Sequence, residues 1–167
     1  MNQHKKHTSI AAVVCAIVCP SARIGLFIRQ PDKQYPMWKM ASGGIEPGES
    51  TPQGLLREVE EETGFVIPSY RDKDGSLVVG NDDCRVVSFG CEPTNGPHGV
   101  HDKHFFAVIV KDPREIIALD RQQLKEDEDE LIETRVFRLD EIAAIPDFLY
   151  RQRPFLTKVI EYALAEQ

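Results

Sequence analysis

Three glutamates in the segment REVEEETGF, namely Glu58, Glu61 and Glu62, have a spacing at which side chains can act together. On a helix, residues at i, i+3 and i+4 project from one face, so their carboxylates lie within a few ångströms of each other. We interpret these acids as lacking cationic partners at i±4, and they occupy the last helical turns, where the macrodipole disfavours negative charge. The pattern therefore predicts that a positive ion binds among them.

Mg²⁺ or Mn²⁺ is the ion we expect, since hard divalent cations prefer oxygen ligands. The sequence Ser42-Gly43-Gly44 lies upstream and is predicted to form a glycine-rich turn, whose backbone can approach a metal or a phosphate closely. A solvated acidic helix face is the alternative interpretation of such a run of glutamates. We favour a metal site built from the helix and the turn together.

The helix that carries the glutamates is predicted for Pro52–Thr63. Thr51 is the predicted N-cap, Pro52 takes the favoured first position, and Gly64 can end the helix in a left-handed conformation. Gly54 indicates close packing or local strain, because Ala would be about 1 kcal/mol more favourable inside a helix. A neighbouring face is apolar and is expected to dock on a core, through Leu55, Leu56 and Val59.

The remaining elements indicate a mixed α/β or α+β fold in one domain over residues 1–167. Helices are also predicted at Phe155–Ala165 and, as a short turn, at Asp140–Ala144. Segments 72–83 and 92–103 are rich in Gly, Pro, Asn and Asp and are predicted to be surface loops. Strands are predicted at Ser9–Cys19, Arg23–Arg29, Met37–Met40, Arg85–Cys91, His104–Val110 and Thr134–Leu139.

The overall charge limits the class of partner. A net charge of -7 argues against a broad basic surface for nucleic acid, whereas a small anionic substrate is compatible if a cation mediates its binding. The apolar run Ile10–Cys19 superficially resembles a signal peptide, but it lacks a cleavage-site pattern and is typical of a buried strand. It is too short to span a membrane.

The four cysteines, Cys15, Cys19, Cys84 and Cys91, form no C-x-x-C pair. We expect buried reduced thiols rather than a zinc site. A cytoplasmic protein fits this pattern, and homodimerisation is left open.

One family shares this arrangement of residues. The pattern Gly43-x5-Glu49-x7-Arg57-Glu58-Val59-x-Glu61-Glu62-x-Gly64-Phe65 resembles the Nudix box at every defined position. Outside the box, the similarity is weaker and includes Trp38, Glu130, Glu133, Phe137 and Leu139-Asp140-Glu141. The resemblance implies an α/β/α sandwich around a mixed sheet. It also implies hydrolysis of a nucleoside diphosphate linked to another moiety, a small anionic substrate, with a divalent metal as cofactor.

The resemblance also implies roles for individual residues. Glu58, Glu61 and Glu62 resemble the metal ligands, with the Gly43 carbonyl as a further oxygen donor, and Glu61 could also orient water. Arg57 and Glu49 resemble the structural ion pair of the family, which would hold the glycine segment against the helix; a surface salt bridge is the alternative.

The general base is left open between a box glutamate and Glu130, which we place on a later loop facing the helix. Glu130 lies among Glu126, Asp127, Glu128 and Asp129, so a solvated acidic loop is the alternative. One departure concerns the segment before the box, where the usual Pro-Gly-Gly is Ala41-Ser42-Gly43 and the frequent Lys is Gly44. The changed segment removes no ligand.

Substrate choice is not determined by the box. His98, His101 and His104 line up near the start of a strand and are candidates for substrate contact, or are solvated loop residues. Trp38 either stacks on a base or packs in the core, and strand alternation makes one of Phe105 and Phe106 a core residue and the other a pocket residue.

Two other functional classes stay open. A noncatalytic Nudix-like module would bind a nucleotide without cleaving it, although no box carboxylate is missing. An isoprenoid diphosphate isomerase would need a catalytic cysteine, which Cys84 and Cys91 do not obviously supply.

Overall fold

The computed structural model describes residues 11–96, 99–127 and 130–166. A mixed sheet forms the centre, in the strand order β6-β7-β1-β2-β9-β8, with β3 paired to β1, while β4 and β5 pair separately. The strands are β1 (Ala11–Cys19), β2 (Ile24–Arg29), β3 (Ala41–Gly44), β4 (Ser69–Arg71), β5 (Leu77–Val79), β6 (Cys84–Gly96), β7 (Gly99–Val110), β8 (Gln123–Asp127) and β9 (Glu130–Arg138). The helices are α1 (Thr51–Thr63), α2 (Pro113–Ile117), α3 (Leu139–Ala144) and α4 (Arg153–Ala165), with short 3₁₀ turns at Pro20–Ala22 and Tyr150–Gln152.

β1 lies between two layers of helices, which explains its unbroken apolar sequence. It is parallel to β7 and antiparallel to β2 and β3. Alternate side chains enter opposite cores, so that Val14 packs on the side of α4 and Val13 on the side of α1. The predicted α/β/α sandwich around a mixed sheet is confirmed, and the strand interpretation of the apolar run is confirmed for residues 11–19.

The core on the α4 side is rich in aromatic rings. Phe27 makes edge-to-face contacts with Phe137 and Phe148, each at 6.0 Å between ring centroids. Trp38 packs against Phe137 at 5.0 Å and is only 4% exposed, so it is a core residue. Phe105 and Phe106 lie on opposite faces of β7, as the strand alternation predicts. Both pack against a core cluster, and Phe105 also lines a cavity on the α4 side.

The predicted strand Met37–Met40 is wrong. Trp38 bridges to Phe148, while the next residue, Lys39, bridges to Ile28. Because neighbouring residues pair with different segments, no regular ladder forms here, and the strand begins only at Ala41.

The predicted loop over 92–103 is also wrong, because most of it continues β6 and β7 as a long hairpin. The predicted loop over 72–83 contains β5 and a turn in which the Asp72 carboxylate accepts hydrogen bonds from the N–H groups of Asp74 and Ser76. β4, β8 and α2 were not predicted. They are short, and a segment of three to five residues gives little periodicity.

The helix predictions are confirmed with small shifts at their starts. Within the described part of the chain, no helix is both long enough and apolar enough to cross a membrane.

Candidate active site

α1 begins with a capping box. The Ser50 hydroxyl accepts a hydrogen bond from the Gln53 N–H at 3.2 Å, and the Gln53 side-chain oxygen accepts one from the Ser50 N–H at 2.8 Å. Ser50 rather than Thr51 is therefore the N-cap, and the Ser-x-x-Gln spacing that signals it is visible in the sequence. The predicted left-handed end at Gly64 is confirmed, with φ of 78°.

The glycine segment before α1 is a strand and not a turn. Gly43 and Gly44 belong to β3 and lie opposite Val13 and Ala12 of β1. The turn follows, where the Glu49 N–H donates to the Glu46 carbonyl at 3.0 Å and Gly48 has φ of 80°. The sheet therefore fixes the glycine backbone in place before the chain enters the helix.

Glu58 packs directly against this backbone. A Cβ atom on Gly43 would lie 2.2 Å from the Glu58 carboxyl carbon, so any side chain at position 43 would displace the carboxylate. Glu58 is 7% exposed. Close packing also explains the glycine at position 54, because a Cβ atom there would lie 3.1 Å from both Glu49 Oε1 and Ile45 Cγ1.

Arg57 joins the strand, the turn and the helix. Its Nε donates to Glu49 Oε2 at 2.8 Å, and its Nη2 donates to Glu49 Oε1 and to the Gly44 carbonyl, both at 2.9 Å. These hydrogen bonds lower the pKa of the Glu49 carboxyl and raise that of the Arg57 guanidinium. The pair is bidentate and half-buried, unlike a loose surface salt bridge.

The same guanidinium also contacts two acids of the cluster. Arg57 Nη1 donates to Glu58 Oε1 at 3.0 Å and to Glu61 Oε2 at 3.3 Å. The interpretation that these acids lack a cationic partner at i±4 is therefore wrong for Glu61. The reason is that a guanidinium has five N–H groups, so Nη1 stays available while Nε and Nη2 bind Glu49.

Glu62 is held differently from the other two acids. It is 2% exposed, and its Oε1 accepts a hydrogen bond from the Ser42 N–H at 2.7 Å. The Glu61 side chain is 49% exposed. Among residues 11–96, 99–127 and 130–166, no three His, Cys, Asp or Glu side chains converge as a ready metal-binding group. The structure thus brings Gly43, Glu58, Glu61 and Glu62 to one region without a closed ligand cage.

A family model described as the NUDIX domain matches residues 9–159 of this chain. The chain belongs to the Nudix family. Its Nudix box runs from Gly43 in β3 to Phe65, just after α1, and the resemblance predicted from the sequence is confirmed.

Two curated proteins share part of this Nudix sequence. The RNA pyrophosphohydrolase of Erythrobacter litoralis is 39% identical over 61 residues, which is 35% of this chain and 37% of that protein. The octanoyltransferase of Myxococcus xanthus is 43% identical over 49 residues, which is 29% of this chain and 13% of that protein. The chain thus spans little more than a third of the first relative and much less of the second.

Solved Nudix structures share the fold over nearly the whole chain. The dihydroneopterin triphosphate pyrophosphohydrolase of E. coli has a TM-score of 0.61 at 15% identity, covering 95% of this chain and 99% of that one. The NUDIX domain of Shewanella oneidensis NrtR, complexed with ADP ribose, has a TM-score of 0.62 at 12% identity, covering 94% and 90%.

The later acidic segment differs from the prediction. Glu130 lies at the start of β9 rather than on a loop, and its Oε2 accepts a hydrogen bond from Gln30 Nε2 at 3.4 Å. Glu128 and Asp129 lie outside the described residues.

The three histidines are not brought together as one group by the described structure. His101 and His104 both lie in β7, where an odd spacing places them on opposite faces of the strand, and His98 lies outside the described residues. His104 Nε2 is 3.8 Å from the Sγ atom of Cys91, which is exposed. The expectation of buried thiols holds for the other three cysteines only.

Glu49→Gln is expected to reduce the free energy of unfolding at pH 7 by about 1.5 kcal/mol, because it removes the ionic partner of Arg57. Since the folded-state pKa of Glu49 is lowered, its stabilisation is present above the unfolded value near 4.5 and is lost as the pH falls through the folded-state pKa. The difference between variant and parent, measured by urea denaturation, should therefore shrink in acid.

Glu46→Gln is the matched control for this measurement. Glu46 lies 3.9 Å from Arg57 Nη1, and its side chain is 65% exposed, so its substitution should cost less than about 0.5 kcal/mol. An equal loss for Glu49→Gln at neutral and acid pH would contradict the ion-pair interpretation.

Proposed function

We propose that this Nudix protein is a metal-dependent pyrophosphohydrolase that cleaves the diphosphate linkage of a nucleoside diphosphate joined to another moiety. The observation that carries the proposal is the packing of the Glu58 carboxylate against Gly43, in a family-typical box that retains every carboxylate. Hydrolases among the relatives and structural neighbours support an enzyme of this class.

The donor atoms of the site fit a hard divalent cation. The carboxylates of Glu58, Glu61 and Glu62 and the carbonyl of Gly43 offer oxygen only, which suits Mg²⁺ or Mn²⁺. Glu58 is buried, and it shares the single guanidinium of Arg57 with Glu49 and Glu61, so a bound cation would offset the excess of negative charge in this cluster. When bound, such a cation neutralises diphosphate charge and activates water for attack on phosphorus.

The protein's own residues have distinct proposed tasks. Arg57 and Glu49 hold β3 against α1, so that Gly43 and Glu58 keep their relative positions. Glu61, the most exposed of the three acids, orients the attacking water. Glu130 or one of the box glutamates accepts the proton of that water.

The proposed substrate is a class of compounds that share a phosphoanhydride linkage, and no single compound is chosen from it. The dihydroneopterin triphosphate named for one neighbour and the ADP ribose named for another both contain a phosphoanhydride. Nucleoside triphosphates, dinucleoside polyphosphates, ADP-sugars and 5′-triphosphate RNA share that linkage.

The free thiols support a cytoplasmic location. Cys84 does not suit the catalytic role that an isomerase would need, because burial raises its pKa to about 11.

Hydrolysis of at least one member of a panel of these compounds is expected in the presence of Mg²⁺ or Mn²⁺, with a nucleoside monophosphate or a shorter polyphosphate as product by mass spectrometry. Chelation with EDTA should abolish it, and added Mg²⁺ should restore it. Full activity after exhaustive chelation, or no hydrolysis of any compound, would overturn the proposal.

A further inference from the structure

A cavity of about 250 Å³ lies near the edge of the sheet where β8 pairs with β9. Its lining includes three arginines, Arg29, Arg121 and Arg135, together with Trp38 and Glu133. Three guanidinium groups around one cavity are unusual for a protein with a net charge of -7. The excess of positive charge indicates that the cavity suits an anion.

This cavity is separate from the Nudix helix. Arg29 and Arg135 lie opposite Glu133 and Phe27 in the pairing of β2 with β9. Even spacing along each strand places these side chains on the same sheet face as Phe27 and Phe137, which belong to the core on the α4 side. α1 packs against the opposite core. The cavity therefore opens on the face of the sheet that α1 does not cover.

Two of the three arginines already have acidic neighbours. Arg29 Nε donates to Glu133 Oε1 at 2.6 Å, and its guanidinium lies 4.4 Å from the centroid of the Trp38 ring. Arg121 Nε lies 3.5 Å from Asp120 Oδ2, and the Arg121 side chain is 72% exposed. Arg121 also has φ of 58°, which is uncommon for a residue other than glycine.

Arg135 differs from the other two, because it has no acidic partner. Its side chain is half-buried, and its guanidinium lies 4.8 Å from the centroid of the Phe137 ring. In the parts of the chain that the structure describes, no carboxylate forms an ion pair with it, and Glu133, two residues away on the same face, pairs with Arg29. A half-buried charge without a partner is unfavourable, so a bound anion would stabilise Arg135.

We propose that this cavity binds a phosphate group, with Arg135 as its principal contact and with Arg29 and Arg121 beside it. A guanidinium presents paired N–H donors that match two oxygens of a phosphate. The oxygens of a phosphate point in several directions, so one phosphate can accept hydrogen bonds from several guanidinium groups, whereas the two oxygens of a carboxylate lie in one plane. The inference does not depend on the proposed function, because it involves neither the Nudix glutamates nor a metal.

Titration of the full chain with inorganic phosphate in the presence of EDTA tests the proposal. Trp38 is the single tryptophan of the chain, so its fluorescence reports directly on this cavity. Phosphate should change the emission saturably, with a Kd in about the millimolar range, while sodium chloride at the same ionic strength should not. Phosphate should also raise the melting temperature of the parent, because it binds the folded state.

A parallel titration with AMP distinguishes the two sources of a phosphate group. Tighter binding of inorganic phosphate than of AMP would assign the cavity to the free anion. Tighter binding of AMP would assign it to the phosphate of a nucleotide. In either case the response should depend on Arg135.

Arg135→Gln should weaken phosphate binding by about 10-fold, because hydrogen bonds to a charged group are the stronger kind. Arg138→Gln is the matched control. Arg138 lies on the same strand, its side chain is 71% exposed and paired with Asp140, and it does not line the cavity. The control variant should keep the parental affinity, and thermal melting should show that both variants are folded.

Absence of a saturable response in the parent would overturn the inference. Equal weakening in Arg135→Gln and Arg138→Gln would also overturn it, because the anion would then respond only to overall charge. If Arg135→Gln does not fold, Arg121→Gln decides, since Arg121 is exposed and its replacement should leave the core intact. That variant should bind phosphate several-fold more weakly, and parental affinity would overturn the inference.

Discussion

Glu61→Gln is expected to lower kcat at saturating Mg²⁺ by about 100-fold or more, while α1 stays folded. Glutamine has nearly the same helix propensity as glutamate, so the backbone has no reason to change. A neutral amide is a weaker ligand for a hard cation, and even the loss of a residue that only supports a ligand costs 10 to 100-fold in other metal sites. The measurement is steady-state hydrolysis together with a titration of metal affinity.

Glu61→Gln should change the free energy of unfolding only slightly. Glu61 forms an i,i+4 ion pair with Arg57, and its side chain is half exposed. Pairs of this kind contribute only about 0.3 to 0.5 kcal/mol, so a small shift in the melting temperature is expected. A large fall in kcat with an almost unchanged melting curve would separate a role in the reaction from a role in folding.

Glu60→Gln provides the control, because Glu60 is the adjacent, exposed glutamate of the same helix. The variant removes the same charge from the same turn but should retain nearly the parental kcat. If the two variants lose activity equally, the acids of α1 act only through their summed negative potential. If neither loses activity, the cluster is a solvated helix face, and the proposed metal site is wrong.

The Nudix helix could be predicted from the sequence because its signals are local. Pro52 and Gly64 mark the ends of the helix, and the spacing of Glu58, Glu61 and Glu62 fixes a common face whatever surrounds it. The fold class was predicted because the same segment resembles the Nudix box. The family model confirms that the chain belongs to the Nudix family.

The partners of the acids could not be predicted from the helix alone. The position of Glu58 under Gly43 depends on β3 pairing with β1, a contact between segments far apart in sequence. Arg57 was expected to bind Glu49, but its additional contacts to Glu58 and Glu61 depend on the orientation of one guanidinium. The spacing of charged residues along a helix shows which acids lie near Arg57, but it does not show which N–H groups of the guanidinium remain available to them.

The β6–β7 hairpin shows how tertiary pairing overrides local composition. The residues Glu92 to Gly96 include proline, asparagine and glycine, which favour loops, yet they pair in register with β7. A cavity of about 140 Å³ beside these residues has no motif in the sequence, because its lining residues come mainly from β6, β7 and α4. Only the folded chain places Phe89 and Glu92 beside Lys158.

Glu130→Gln should lower kcat by about 100-fold or more if this residue is the general base, because positioned proton transfer contributes 10² to 10⁴-fold in enzymes. KM and metal affinity should change little, since the interaction is made mainly in the transition state. The hydrogen bond from Gln30 and the pairing of β9 with β8 can persist, so the start of the strand should stay in place.

The pH dependence and two neighbouring substitutions decide between the candidate bases. Loss of an essential base should change the acidic limb of the kcat/KM profile, because that limb reports the ionisation of the base in the free enzyme. Glu128→Gln and Asp129→Asn remove the same charge from the adjacent acidic positions and should leave both kcat and the acidic limb close to the parent. If all three variants behave alike, the segment contributes only negative potential. If Glu130→Gln turns over like the parent, the proton must pass to Glu58, Glu61 or Glu62, and the base belongs to the Nudix box itself.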